Sequence, residues 1–86
     1  MGTNFDADAR KVGEIMALSM VLKGETKTIQ RFIGKEDVVT RLREMGFVPG
    51  ERVEVLGQNP SGLILLVKGV RLALDRNLAS RIIVCD

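Results

Sequence analysis

Few side chains in this sequence can do acid–base or covalent chemistry. The 86 residues include no histidine and one cysteine, Cys85. Histidine is the usual general base near neutral pH and the commonest metal ligand, so its absence excludes Ser–His and Cys–His nucleophile systems. Neither a GxSxG elbow nor a Walker A loop is present, which removes the α/β-hydrolase and P-loop NTPase classes. Glu36 and Asp37 are adjacent acids. At the start of a helix such a pair stabilises the positive end of the dipole, a structural duty and not a catalytic one. Cys85 and Asp86 place a thiol beside a carboxylate, but one cysteine is too few for a thiolate-rich metal site within one chain. A lone cysteine also forbids an internal disulfide, in keeping with a reducing compartment. The expectation is a binding or regulatory module, with neither an enzymatic activity nor a cofactor of its own.

Recognition then falls to surface shape and charge, and the stretch that offers both is Arg41 to Val55, RLREMGFVPGERVEV. Leu42 and Met45 are three apart and share a helix face. Gly46 follows as the residue that takes a left-handed conformation without a Cβ clash. With Gly46 at C′, Phe47 is C″ and Leu42 is C3, the pair whose apolar contact accompanies a Schellman stop. Pro49 forbids further helix and Gly50 completes a turn. Val53 and Val55 then alternate with Arg52 and Glu54, the period of a half-buried strand.

The elements around this corner follow from periodicity. Residues 1–16 have weak periodicity and mixed charge and read as an N-terminal extension, with a short helix conceivable over Ala7–Met16. Residues 17–86 read as one domain. Leu18–Leu22 is an apolar run expected to be a buried strand. Thr26–Ile33 is rich in β-branched residues, with Ile29, Arg31 and Ile33 on one face and Thr28, Gln30 and Phe32 on the other. Lys35–Met45 is the helix, striped by Val38, Val39, Leu42 and Met45, with Glu36 and Asp37 in its first turn and Arg41 and Arg43 near its last. Gly57–Gly62, GQNPSG, reads as a polar loop between the strands Arg52–Leu56 and Leu63–Lys68. Lys68-Gly69 is a hairpin turn into Val70–Leu74. Asp75–Ser80 is a helical turn or loop, and Arg81–Val84 closes the sheet. Five or six short strands with one helix inserted after the second can bury themselves only by curling. The expected fold is therefore mostly β, a small SH3-like barrel with one inserted α-helix. Its core is aliphatic, because the sequence has three Phe and no Trp or Tyr.

RLREMGFVPGERVEV resembles the signature of the FeoA family of bacterial ferrous iron transport accessory proteins. The resemblance continues through NPSGLILLVKGVRLAL and ends at the strand RIIV, so it spans Leu18 to Val84. It implies an SH3-like domain in the cytoplasm, peripheral to the inner membrane through its partner, the membrane transporter FeoB with its G domain. The pathway ion is Fe(II). The partner-binding residues expected on that basis lie on the helix and its corner: Arg41, Leu42, Arg43, Met45, Gly46, Phe47, Pro49 and Gly50. Leu42 and Met45 have a second reading as core residues, and the two arginines as merely solvated.

Other partners fit less well. Lys and Arg number 13 against 11 Asp and Glu, a formal charge of +2, short of the basic stripe of a nucleic-acid binder. Arg31, Arg41, Arg43 and Arg52 are interrupted by Glu44, Glu51 and Glu54, and few aromatics are available for stacking. A barrel of this kind also resembles the C-terminal domain of metal-dependent repressors, but the sequence has no helix-turn-helix. The open edges of such a barrel leave room for weak self-association. No apolar run approaches the ~18 residues of a membrane span.

Overall fold

Alternating burial sets the sheet. In the computed structural model, which describes residues 15–86, Val53 and Val55 are buried from one strand and Leu63, Leu65 and Val67 from the next. The intervening residues face outward, as a strand period of two requires. The strands are β1 (Met16–Ala17), β2 (Thr26–Phe32), β3 (Arg52–Asn59), β4 (Gly62–Val67), β5 (Val70–Asp75) and β6 (Ile82–Cys85). The helices are α1 (Glu36–Glu44), inserted between β2 and β3, and the four-residue α2 (Arg76–Ala79). Among the described residues the strands form one antiparallel sheet in the order β1-β6-β2-β3-β4-β5. The final strand thus lies between the first two. The curled sheet encloses Leu18, Val21, Ile29, Val53, Val55, Leu63, Leu65, Val67, Leu74, Ile82 and Val84, with Leu42 from α1 and Phe47 just after it. The mostly β, SH3-like architecture with an inserted helix agrees with the sequence reading.

Three elements differ from the expectation. Leu18–Leu22 is not a strand: Leu18–Met20 is a 3-10 turn, closed by the Val21 N–H donating to the Leu18 carbonyl at 3.0 Å. A period of three buries Leu18 and Val21 and turns Met20 and Leu22 to solvent. The second difference is a β-bulge in β2. Ile29 pairs with Val84 but Arg31 with Ile83, so one residue is extra. The bulge flips the faces beyond it: Arg31 is exposed while Phe32 packs on the core, reversing the expected phase.

The third is the polar loop. β3 runs through Gly57, Gln58 and Asn59, past a register shift between Val55 and Gly57, and the turn is only Pro60-Ser61. Asn59 makes that possible. Its Oδ1 accepts from the Ser61 N–H, the Ser61 hydroxyl and the Gly62 N–H, at 2.9, 2.7 and 3.0 Å. Gly62 follows where a Cβ would stand 2.7 Å from the Leu74 carbonyl oxygen of the neighbouring strand.

The β4–β5 hairpin turns through Lys68 (φ +54) and Gly69 (φ +75), the left-handed pair of a type I′ turn. Asp75 caps α2, its Oδ1 accepting from the Leu78 N–H at 2.7 Å. The Arg76 guanidinium donates to the Ser19 and Asn59 carbonyls and to Gln58 Oε1, fixing the 3-10 turn against the end of β3. Met16 pairs with Val84 as part of β1, so among the described residues the sheet begins at Met16. Apart from Ile15 and Met16, the helix considered over Ala7–Met16 lies outside the described residues.

Candidate partner-binding corner

α1 has little to hold it. Lys35 stands at its N-cap without a side-chain hydrogen bond, and Leu42 is its one buried residue. Val38, Val39 and Met45 are half-buried. Glu36 and Asp37 sit in the first turn and Arg41 and Arg43 in the last, each of the sign that the helix dipole favours. The C-terminal stop is the Schellman arrangement read from the sequence. The Gly46 N–H donates to the Arg43 carbonyl at 3.0 Å and the Phe47 N–H to the Leu42 carbonyl at 3.1 Å, with Gly46 at φ +106. Leu42 and Phe47 are both fully buried and belong to the same core cluster.

The next four residues make a second tight turn. The Glu51 N–H donates to the Val48 carbonyl at 3.0 Å, with Pro49 second and Gly50 third at φ +92. That is the geometry of a type II turn. The turn is stitched to β2 by two further bonds: Gly50 N–H to the Ile29 carbonyl, 2.7 Å, and Ile29 N–H to the Glu51 carbonyl, 2.8 Å. From Arg43 to Glu51 the backbone is therefore fixed by reciprocal bonds rather than by bulk.

The structure divides the eight residues expected to meet a partner. Arg41, Arg43, Pro49 and Gly50 are exposed, and Met45 and Gly46 are partly so. Leu42 and Phe47 are 0% exposed. As apolar anchors for a partner they are given up, because the barrel already uses both side chains to seat the helix. Among the described residues, neither Arg41 nor Arg43 has an ion-pair partner. The sequence reading overlooked Val48, which is 43% exposed between the buried Phe47 and Pro49. A signal for it existed. Once Phe47 turns inward as the Schellman C″ residue, the residue leading into a Pro-Gly turn is left outside.

The other groups weighed for chemistry are differently placed. Cys85 is half-buried at the end of β6, and Asp86 beside it is salt-bridged to the Lys27 ammonium. Among the described residues no three His, Cys, Asp or Glu side chains converge. Arg52 donates to Thr28 Oγ1 at 3.2 Å, apart from the two helix arginines. Phe47 is buried and Phe32 packs on the core, so neither offers a face for stacking a base. Among the described residues no helix is long and apolar enough to cross a membrane.

The family model of the FeoA domain matches residues 16–85. The crystal structure of an iron uptake regulatory protein (FeoA) is 32% identical, with a TM-score of 0.78 over 83% of this chain and 96% of that one. The solution structure of the FeoA protein of Chlorobium tepidum is 29% identical, with a TM-score of 0.71 over 81% of this chain and 69% of that one. A manganese-dependent transcriptional repressor shares the fold, with a TM-score of 0.78 at 17% identity over 84% of this chain. The matched region is 41% of the repressor's length. A comparison with curated proteins gives no match.

Proposed function

This chain belongs to the FeoA family, whose members serve ferrous iron transport systems as small accessory domains, and from that premise we propose that it docks on the cytosolic side of a FeoB-type transporter through the α1 corner. The observation that carries the reading is the state of that corner. Two guanidiniums without an ion-pair partner among the described residues, Arg41 and Arg43, stand on the last turn of α1, and Val48, Pro49 and Gly50 are exposed beyond it on a rigid backbone. A surface already fixed in place loses little conformational freedom on binding. The arginines meet acidic groups of the partner, Met45 and Val48 supply the apolar contact, and Leu42 and Phe47 hold the platform from below. The domain works by altering its partner's turnover or gating and catalyses nothing itself. Its place is in the cytoplasm, peripheral to the inner membrane through that partner, and Fe(II) is the cargo of the system.

The test is an NMR titration of the labelled protein with the soluble G domain of the cognate transporter, with and without guanine nucleotide. Shift changes concentrated from Arg41 to Glu51, and lost in Arg41→Glu with Arg43→Glu, are the expected result. Changes elsewhere, or none, overturn the choice of surface. In a second arm, Fe(II) is added under anaerobic conditions. Saturable changes near Cys85 would make the domain an iron carrier in its own right, contrary to the proposal.

A further inference from the structure

β5 is the edge of the sheet, with β4 on one side and no strand on the other among the described residues. The phase of its hydrogen bonding follows from the two-residue turn: the closing pair Val67–Val70 is hydrogen-bonded, as are the pairs two and four residues on. The same phase carries on to Arg76, whose N–H donates to the Ser61 carbonyl at 3.1 Å. The N–H groups of Arg71, Ala73 and Asp75 therefore point away from β4, as do the carbonyls of Arg71 and Ala73. Natural edges are blunted by bulges, prolines or inward charges. This one has six ladder pairs with β4 without a register shift, and its sequence VRLALD contains no proline.

The side chains on the outward face carry a specific pattern. Arg71, Ala73 and Asp75 are all exposed, and the small residue lies midway between opposite charges. In an antiparallel pair related by a two-fold axis at Ala73, each Arg71 stands opposite Asp75 of the second copy. A pattern that reads the same under that rotation fits a second copy of itself, whereas an unrelated strand would not require it. Arg71 has no ion-pair partner among the described residues. Asp75 uses one carboxylate oxygen to cap α2, and the other is left to face Arg71. On the opposite face the half-buried Leu72 and the exposed Val70 gain cover.

We infer that this protein self-associates through β5, forming a two-fold antiparallel strand pair centred on Ala73 and locked by reciprocal Arg71–Asp75 contacts. Four backbone bonds close the pair: Ala73 to Ala73 in both directions, and each Asp75 N–H to the Arg71 carbonyl of the other copy. A strand pair of a few residues a side is smaller than the ~1,200 Å² at which stable interfaces begin, so association is weak and rises with concentration. Lys68 at the hairpin turn reaches Glu51 of the α1 corner at 3.9 Å, but Arg71, Ala73 and Asp75 are not among the corner's residues, and the inference holds whether or not that corner docks on a transporter.

Sedimentation equilibrium of the full chain, followed up to about 1 mM, tests the inference. Dimer formation is expected. Arg71→Glu weakens it about tenfold, because two attractive cross-strand pairs become repulsive. Ala73→Pro abolishes it while leaving the melting curve in place, since the Ala73 N–H serves no intramolecular bond. A mixture of Arg71→Glu and Asp75→Arg chains recovers dimer, because both opposite pairs are complementary again in that heterodimer. If Asp75→Arg fails to fold for want of its cap, the first two variants still decide. A chain that stays monomeric throughout, or a dimer indifferent to both variants, overturns the inference.

Discussion

The corner that joins α1 to β3 buries Leu42 and Phe47 and leaves most of its other residues at the surface, whereas the β4–β5 hairpin buries Leu63, Leu65, Val67 and Leu74. The corner takes an irregular path, with left-handed glycines at 46 and 50, and its hydrogen bonds are local caps and turns plus the two that tie it to Ile29 of β2. The hairpin is regular, and its order comes from a continuous ladder. Each therefore presents something different. The corner offers side chains, Arg41, Arg43 and Val48, on a backbone whose own bonds are satisfied. The hairpin offers backbone, because a regular edge strand leaves every second residue's polar groups unpaired. An irregular stretch closed on itself suits a partner that reads charge and shape, and a regular edge suits one that supplies another strand.

Substitutions can break this contrast from either side. The largest effect is expected at Leu42→Ala, which empties the single deep contact of α1 and should cost about 3 kcal/mol. Thermal melting gives the size, and amide exchange gives the place: exchange should quicken in α1 and the corner more than in β4 and β5. A uniform rise would mean that the two regions open as one unit. On the hairpin side, Gly62→Ala forces a Cβ toward the Leu74 carbonyl, 2.7 Å away, and is expected to cost about 2 kcal/mol. An unchanged melting temperature would show that β4 and β5 can part without loss. Gly46→Val comes next, at over ~1 kcal/mol, because a β-branched residue resists the left-handed conformation. Nothing lies within 4 Å of the Cβ position there, so the effect comes from backbone strain and not from a Cβ clash. The smallest stability change, about 1 kcal/mol or less, is expected for Arg41→Glu with Arg43→Glu, since both side chains are exposed and lose only their favourable place at the helix C-terminus. Their effect should appear in partner binding; a large drop in melting temperature would instead make them structural. Cys85→Ser should leave iron uptake supported, and loss of uptake with the fold intact would reopen a metal or redox role for the thiol.

What the sequence disclosed depended on the range of the forces involved. The helix stop was legible because Leu42, Gly46 and Phe47 settle it within six residues, and the Lys68-Gly69 turn because two left-handed positions suffice. The bulge in β2 left no such mark. It arises where β2 must satisfy β6 on one side and β3 with the Val48–Glu51 turn on the other, so the phase of Phe32 was misread. Leu18–Met20 had the composition of a strand. Its 3-10 form is held by Arg76, which reaches the Ser19 carbonyl from 57 residues away. At the candidate site, residue types singled out the corner, but which of its side chains face outward was decided by packing. The Schellman contact drew Leu42 and Phe47 inward, and Val48 came out in consequence.

The position of β6 between β1 and β2 has a consequence during synthesis. The chain emerges from the ribosome with β1 first, but β1's strand neighbour is Ile82–Cys85. Until those residues are free, β2 also lacks its partner on that side. The hairpins from β3 to β5 can form while translation proceeds, yet the opening segment must wait for the closing one. A nascent or truncated product ending before Ile82 would expose two unpaired strand edges at once, the condition in which chains pair with the wrong neighbour. Closure of the sheet thus waits for Ile82–Cys85, the four residues that pair with both β1 and β2.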